Sequence, residues 1–234
     1  MGQVLECRLK AFLQKHPEIE RTKQGFRYKN SPHKVKLPAK FSKELCRILG
    51  ILHGDGNMSG GRILITDKNK EYHETLQKLF SKVFAVKLNL FHDKKRNTYY
   101  SHTKRKALYK YFTEVLEVPK GSVRERLSPP SFLKQWNEGF KGAYLGGLFD
   151  AEGYIGKKQA RITFSTTSKP LWELAKQFLS SKGIKVSEYS RKRRERREFE
   201  LYIYGKKNIQ KFLGVVEFLH PEKRRRLAKV LPFH

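Results

Sequence analysis

The sequence predicts a mixed α+β fold made of two similar halves. Three observations carry that prediction. The first is a repeated segment: Ile48-Leu49-Gly50-Ile51-Leu52-His53-Gly54-Asp55-Gly56 and Leu145-Gly146-Gly147-Leu148-Phe149-Asp150-Ala151-Glu152-Gly153 superpose at an offset of 97, the separation of Asp55 from Glu152. Each is an apolar run with small residues four apart, closed by an acid and then Gly. The second is that each copy opens the same order of helix, strands, helix, strands and helix. A repeat of about a hundred residues is too long for a solenoid unit and suits a duplication in which one chain imitates a dimer. The third is composition. With 38% hydrophobic residues and 29 aromatics (16 Phe, 11 Tyr, 2 Trp), the 234-residue chain can fill a core despite its charge.

Along the chain, Val4, Leu5, Leu9, Phe12 and Leu13 recur at helical spacing, so 3–15 reads as an amphipathic helix. A basic stretch punctuated by Pro and Gly, 21–40, reads as an arm or irregular loop. Ser42 is an N-cap for a helix ending at Asp55, with Gly56 at C′. A strand is expected at Arg62–Thr66. Tyr72, Leu76, Leu79, Phe80 and Val83 share a face of a helix over 71–84. Strands at Val86–His92 and Thr98–His102 flank a polar tip, and a helix over 104–117 closes the first half. Pro119, Gly121, Pro129 and Pro130 mark a linker. A helix at 131–138 reaches a kink at Gly139 and Gly142 before the second acid-ending helix. A strand at Ala160–Phe164, a helix over 170–182, strands at Lys185–Tyr189 and Phe199–Tyr204, and helices over 206–219 and 221–230 complete the order. The divisions are then 1–39 (helix and basic arm), 40–118 (first half), 119–130 (linker) and 131–234 (second half).

The net charge is +29, from 51 basic and 22 acidic residues. Such a field repels itself unless a polyanion neutralises it, which excludes a small-metabolite enzyme as the simplest account. Cys7 and Cys46 have neither zinc-site nor disulfide-framework spacing and suit a reducing interior. No apolar run is long enough to span a membrane, and no secretory signal is visible, so a cytoplasmic location is expected and nucleic acid is the expected polyanion.

Gly50 with Gly54, and Gly147 with Ala151, lie on one helical face each. A helical Gly costs roughly 1 kcal/mol against Ala, so close approach of another backbone is the compensating reason. If the two helices pack on each other, Asp55 and Glu152 emerge side by side. Acids at helix C-termini are disfavoured by ~0.3–1 kcal/mol each, and a divalent cation between them relieves that.

These residues and their spacing make the chain resemble the LAGLIDADG homing endonucleases in their single-chain, two-motif form, over about 40–220. The resemblance implies two ααββαββα-like halves around packed motif helices, with antiparallel sheets forming a saddle on double-stranded DNA. It implies a monomer that hydrolyses both strands of a long site with Mg2+ (or Mn2+ as a substitute) and no small-molecule cofactor. The family's acids fall on Asp55 and Glu152, as catalytic and metal-binding groups, with Gly54 and Ala151 beside them as further metal ligands. Polar residues supporting the water network fall on Asp67 and Thr166. A basic group assisting the transition state is sought among Lys68, Lys157, Lys158 and Arg191, with Lys68 and Lys157 carried forward. His53 and Asp150, where the family often has Asp, read as packing or cap positions. The hairpin tips Lys94, Lys95, Arg96 and Asn97, and Arg191, Lys192, Arg193, Arg194, Arg196 and Arg197, are expected to contact DNA. An RNA maturase, or a catalytically silent DNA-binding regulator of the same fold, are the alternative functions. Met1 and the Pro232-Phe233-His234 end do not suggest an intein.

Overall fold

Helix α1 (Gly2–Lys15) packs Leu5, Leu9 and Phe12 inward, as the spacing predicts. The computed structural model describes residues 2–121, 127–157, 159–193 and 196–231. The basic stretch that follows α1 is not an irregular arm. It forms a three-stranded antiparallel sheet of β1 (Ile19–Thr22), β2 (Gly25–Tyr28) and β3 (Lys34–Val35). Its few apolar residues hide among lysines, yet they stand in register: Ile19 faces Tyr28 and Phe26 faces Val35. Gly25 (φ +133) is required there, because a Cβ would strike the Val35 carbonyl.

Polar bridges fasten this N-terminal module to the first half. His16 Nδ1 lies 3.0 Å from Glu18 Oε1 and its Nε2 2.8 Å from Glu114 Oε2, while Lys110 Nζ donates to Glu18 at 2.9 Å. The Lys110 bond, with a backbone donor and His16, pushes the Glu18 carboxyl down to about 2. Partial burial opposes ionisation of Glu114, but bonds from His16 and Lys15 outweigh it and hold that carboxyl low as well. A depressed carboxylate stabilises the fold above its unfolded value and loses that contribution as pH falls through the folded one. Amide protection in α1 is therefore expected to hold at neutral pH and decay as pH drops from about 4.5 toward 2. Hydrogen exchange across that window checks this, and protection that stays constant through it contradicts the bridge.

In the first half, α2 (Lys43–Asp55) begins at Ser42, whose hydroxyl accepts from the Leu45 N–H. It runs straight into β4 (Gly56–Ser59), followed by β5 (Arg62–Asp67), α3 (Lys70–Phe84), β6 (Asn89–Asp93) and β7 (Thr98–Thr103). Strand β4 was not predicted, since four residues rich in Gly and polar side chains show no alternation. The helix expected over 104–117 is α4 (Lys106–Lys110) continued by a π-helical turn at Tyr111–Val115, in which Leu116 N–H reaches back to Tyr111. Leu108, Tyr111, Phe112 and Val115 all point inward.

The second half repeats this plan. A 3-10 turn at Ser131–Gln135 replaces the helix predicted at 131–138, because Asn137 takes an extended backbone to cap α5 (Glu138–Glu152). Helix α5 runs unbroken through Gly139 and Gly142. Gly142 is a packing site, where a Cβ would strike the carbonyl of Val215. Then come β8 (Gly153–Ile155), β9 (Arg161–Thr166), α6 (Lys169–Ser181), β10 (Ser187–Arg193) and β11 (Arg196–Tyr204). Helix α7 (Lys206–Leu213) stops well short of 219, because the Leu219 and His220 N–H groups turn away to Asp150. The basic helix α8 (Pro221–Val230) follows, started by Pro221.

The first sheet has the order β4-β5-β7-β6 and the second β8-β9-β11-β10, antiparallel throughout. Ile63 and Ile65 in one, Ile162 and Phe164 in the other, face the core. This duplicated topology is the mixed α+β fold predicted from the repeat.

Candidate catalytic and nucleic-acid-binding site

Helices α2 and α5 touch through their backbones. A Cβ on Gly50 would strike the Tyr144 carbonyl and lie 2.9 Å from Leu148 N. A Cβ on Gly147 would strike the Arg47 carbonyl and lie 2.7 Å from Ile51 N. One turn on, Gly54 stands against Ala151, with Glu152 Cγ 3.3 Å from where its Cβ would be. Helices separated by ordinary side chains pack at ~8–10 Å, and these glycines remove that spacer. Asp55 and Glu152, both half-buried, thus leave adjacent helix ends.

The glycine after each acid has a purpose other than the expected one. Gly56 (φ −72, ψ 142) and Gly153 (φ −82, ψ 147) are extended, not left-handed. Each opens a strand at once, so a side chain would strike the carbonyl of Leu52 or Phe149. The matching geometry aims both chains from helix into sheet in the same way.

Buried polar links lock the helix pair. His53 Nδ1 lies 2.6 Å from the Tyr144 hydroxyl, and burial pushes the imidazole down to about 4, so it is neutral. Asp150 is fully enclosed and burial raises its carboxyl, against the pull of Arg47 at 3.2 Å. It also accepts from the Leu219 and His220 N–H groups at 2.9 Å each. His53 and Asp150 are therefore packing and capping residues.

Around the acids, Asp67 and Thr166 end equivalent strands. Asp67 accepts from Asn69 N–H and Thr166 from Ser168 N–H, each turning the chain into its helix. Asp67 also faces His220 Nε2 at 3.5 Å, a link between halves. Burial works against its ionisation, yet His220 and the Asn69 N–H hold it low. Lys68 and Lys157 are exposed, on the turn after β5 and just past β8. Lys158 lies outside the described residues.

Lys223, at the start of α8, was missed. Its ammonium donates to Phe149 O at 2.9 Å, Ala151 O at 3.3 Å and the Asp150 carbonyl. Burial lowers it below the usual lysine range, against the attraction of Asp150, Asp55, Asp67 and Glu152. In sequence it is one of four consecutive cations, and only the helix phase set by Pro221 singles it out.

The donor set suits a hard divalent cation. Intrahelical bonding from the caps stops at Leu52 and Phe149, which leaves the Gly54 carbonyl, and the Ala151 carbonyl that Lys223 approaches at 3.3 Å, in the turns that end at the two acids. An ammonium already seeks the α5 carbonyls, so the local field favours positive charge. Among the described residues no group of three His, Cys, Asp or Glu gathers, so water would complete an octahedral shell.

The tip residues Lys94, Lys95, Arg96 and Asn97 are exposed, with the turn held by Asp93, which accepts from Lys95 and Arg96 N–H. The other hairpin differs from expectation. No Gly, Pro or Asn interrupts its charge run, so β10 continues to Arg193 and β11 starts at Arg196. Arg191, Lys192, Arg196 and Arg197 are thus exposed strand residues, not a loop, and Arg194 lies outside the described residues. Arg191 is also no open cation, since Glu198 engages it at 2.8 Å and Glu200 at 3.6 Å. Phe91, Tyr154, Tyr189 and Tyr204 are exposed on the same two sheets.

Comparison with known proteins agrees with this geometry. The family model of the LAGLIDADG-like domain matches residues 139–217. The homing endonuclease I-DmoI, in a structure with DNA and Mn, is similar with a TM-score of 0.53 at 22% identity, covering 74% of this chain and 96% of that one. The N-terminal LAGLIDADG domain of DUF199/WhiA is similar with a TM-score of 0.54 at 14% identity, covering 80% and 88%. Among curated proteins, the glutamine–fructose-6-phosphate aminotransferase of Methanocaldococcus jannaschii is 32% identical over 204 residues, which is 84% of this chain but 18% of that protein. The chain spans about a fifth of the length of the curated relatives it matches.

Proposed function

We propose that this chain, which carries a LAGLIDADG-like domain over residues 139–217 and repeats its fold in the first half, is a site-specific endonuclease that hydrolyses both strands of double-stranded DNA with a divalent cation. The observation that carries the proposal is the pair of acids, Asp55 and Glu152, at abutting ends of helices packed through Gly50 and Gly147. A fold kept only for binding has no need for two carboxylates at one helix junction on a chain of charge +29.

In this reading Asp55 and Glu152, with the Gly54 and Ala151 carbonyls, hold the cation, Mg2+ or Mn2+. When bound, it supplies Lewis acidity and neutralises charge on the scissile phosphate. Lys223 offsets part of the negative charge of the site when the cation is absent. The two sheets take the duplex, with Lys94, Lys95, Arg96, Lys192, Arg196 and Arg197 toward phosphates and Asn97 toward a base edge. Lys68 and Lys157 are near enough in sequence to the site strands to meet a phosphate brought by DNA. The aromatic side chains exposed on the sheets supply apolar contact, for example to thymine methyl groups.

The test is to incubate the protein with a plasmid library in Mg2+ and, separately, in EDTA, then map new ends. Paired cuts at one recurrent sequence, in Mg2+ only, are expected. Intact plasmid under both conditions, with tight sequence-specific binding, would move the assignment to a silent regulator. Preference for a structured intron RNA over duplex DNA would move it to a maturase.

A further inference from the structure

The N-terminal module lies outside the stretch matched by the family model. Between it and the outer end of the first sheet runs a groove of about 290 Å3. One wall is the β2–β3 loop, with Lys29 and His33, and the other is the turn from β7 into α4, with Lys104, Arg105 and Lys106. No acid lines it. The acids that the module carries are paired with cations: Glu6 with Lys10 at 2.9 Å, Glu20 with Arg27 at 3.0 Å, and Glu18, which also accepts from the Tyr28 hydroxyl at 3.4 Å, with Lys110 at 2.9 Å. Tyr28 forms the floor, with Lys106 Nζ 5.3 Å from its ring centre.

The groove adjoins the end of the sheet that carries Arg62 and His102. His102, on β7 just before it, feels both Arg62 and Lys104. From the tip end of β7 at Thr98 to Lys104, an extended strand covers roughly 20 Å at ~3.3 Å per residue. That is about six steps of a duplex at ~3.4 Å each. An acid-free basic groove one strand length from the tip is placed to meet the sugar-phosphate backbone, and it offers little to a base edge.

We propose that this groove clamps the phosphate backbone of duplex DNA beyond the stretch covered by the two sheets, on the first half's side only. The inference rests on the endonuclease reading of the central site. It makes the footprint lopsided: among the described residues the second half has no such module, so the two flanks of the target are held unequally.

The experiment uses the full chain in EDTA, the duplex recovered from plasmid cleavage, and versions of it shortened by about ten base pairs at one end or the other. Shortening one end is expected to weaken binding about tenfold, and shortening the other to change little. The variant Lys29→Gln/Lys104→Gln/Lys106→Gln is expected to bind the long duplex as the unaltered chain binds the short one. It should lose nothing more on shortening. Its slope of log K against log salt should be shallower by up to about 2.7, at ~0.9 for each of three phosphates no longer neutralised. Cleavage of the shortened duplex by that variant, at the unaltered rate, shows that it is folded. If both ends can be shortened without effect while cleavage persists, the clamp is wrong and the endonuclease reading stands. Equal weakening of the variant on long and short duplexes also overturns it, as does a groove-dependent preference for RNA. Failure to bind or cut any duplex ends both readings together.

Discussion

The Asp55→Asn protein is expected to bind its duplex within about threefold of the unaltered chain and to cut neither strand. The substitution keeps shape and volume and removes one negative charge. Asp55 is half-buried at the end of α2, where the helix field disfavours an acid by ~0.3–1 kcal/mol, and Glu152 stands on the adjoining helix end. Removing the charge relieves repulsion from Glu152 and the helix end but gives up attraction to Lys223. A melting temperature in EDTA close to that of the unaltered chain is the accompanying sign. What is lost is half of the carboxylate set that would hold a divalent cation, and with it charge stabilisation in the transition state. Losses of that kind are on the order of a thousandfold. The acids meet at one junction, so neutralising either is expected to impair cutting on both strands, not to leave an efficient nickase. Gel mobility of labelled duplex in EDTA, and conversion of supercoiled plasmid in Mg2+, separate binding from cutting. Specific binding lost with cutting preserved would remove Asp55 from the site altogether. So would a rate within tenfold of the unaltered chain.

Much of this arrangement could be read from the sequence, for a specific reason. A duplication states its own symmetry, so two weak signals in register made one strong one. The small-residue spacing of Gly50, Gly54, Gly147 and Ala151 is a local property of helices, and it gave the helix pair without tertiary information. What escaped was long-range. Asp150 draws the Leu219 and His220 N–H groups from some 70 residues away, and no helical periodicity shows that α7 must stop for it. Lys223 reaches the α5 carbonyls from a helix whose charge pattern marks every cation alike. The small N-terminal sheet was hidden in the same way, with charged residues such as Glu20, Arg27 and Lys36 between its apolar positions. Arg191 failed as an open cation because its partners, Glu198 and Glu200, lie across a strand pair whose register only the fold sets.

Within α5, one substitution is expected to act with opposite signs at two positions. Gly139→Ala should stabilise the chain by up to ~1 kcal/mol, the ordinary gain for a helical position. The new Cβ would meet nothing nearer than Lys43 Cε at 3.4 Å, the far end of a flexible side chain. Gly147→Ala gains the same propensity but drives its methyl into the Arg47 carbonyl and to 2.7 Å from Ile51 N. Backbone in a neighbouring helix cannot step aside as a lysine can, so α2 and α5 must part. Overpacking of a tight core costs roughly 1–3 kcal/mol and more when backbone is struck, which outweighs the propensity gain. A net loss of about 3 kcal/mol lowers Tm by roughly 6–12 °C in a chain of this size. Gly50→Ala, facing Tyr144 and Leu148 from the other helix, should behave alike. Because the two glycines serve one contact, the double variant should lose less than the sum of the singles: once the helices are apart, the second methyl finds room. Thermal melts of the four proteins decide it. If Gly147→Ala melts at or above the unaltered chain, the backbone contact is not close, and the reason for Asp55 and Glu152 to share a junction goes with it.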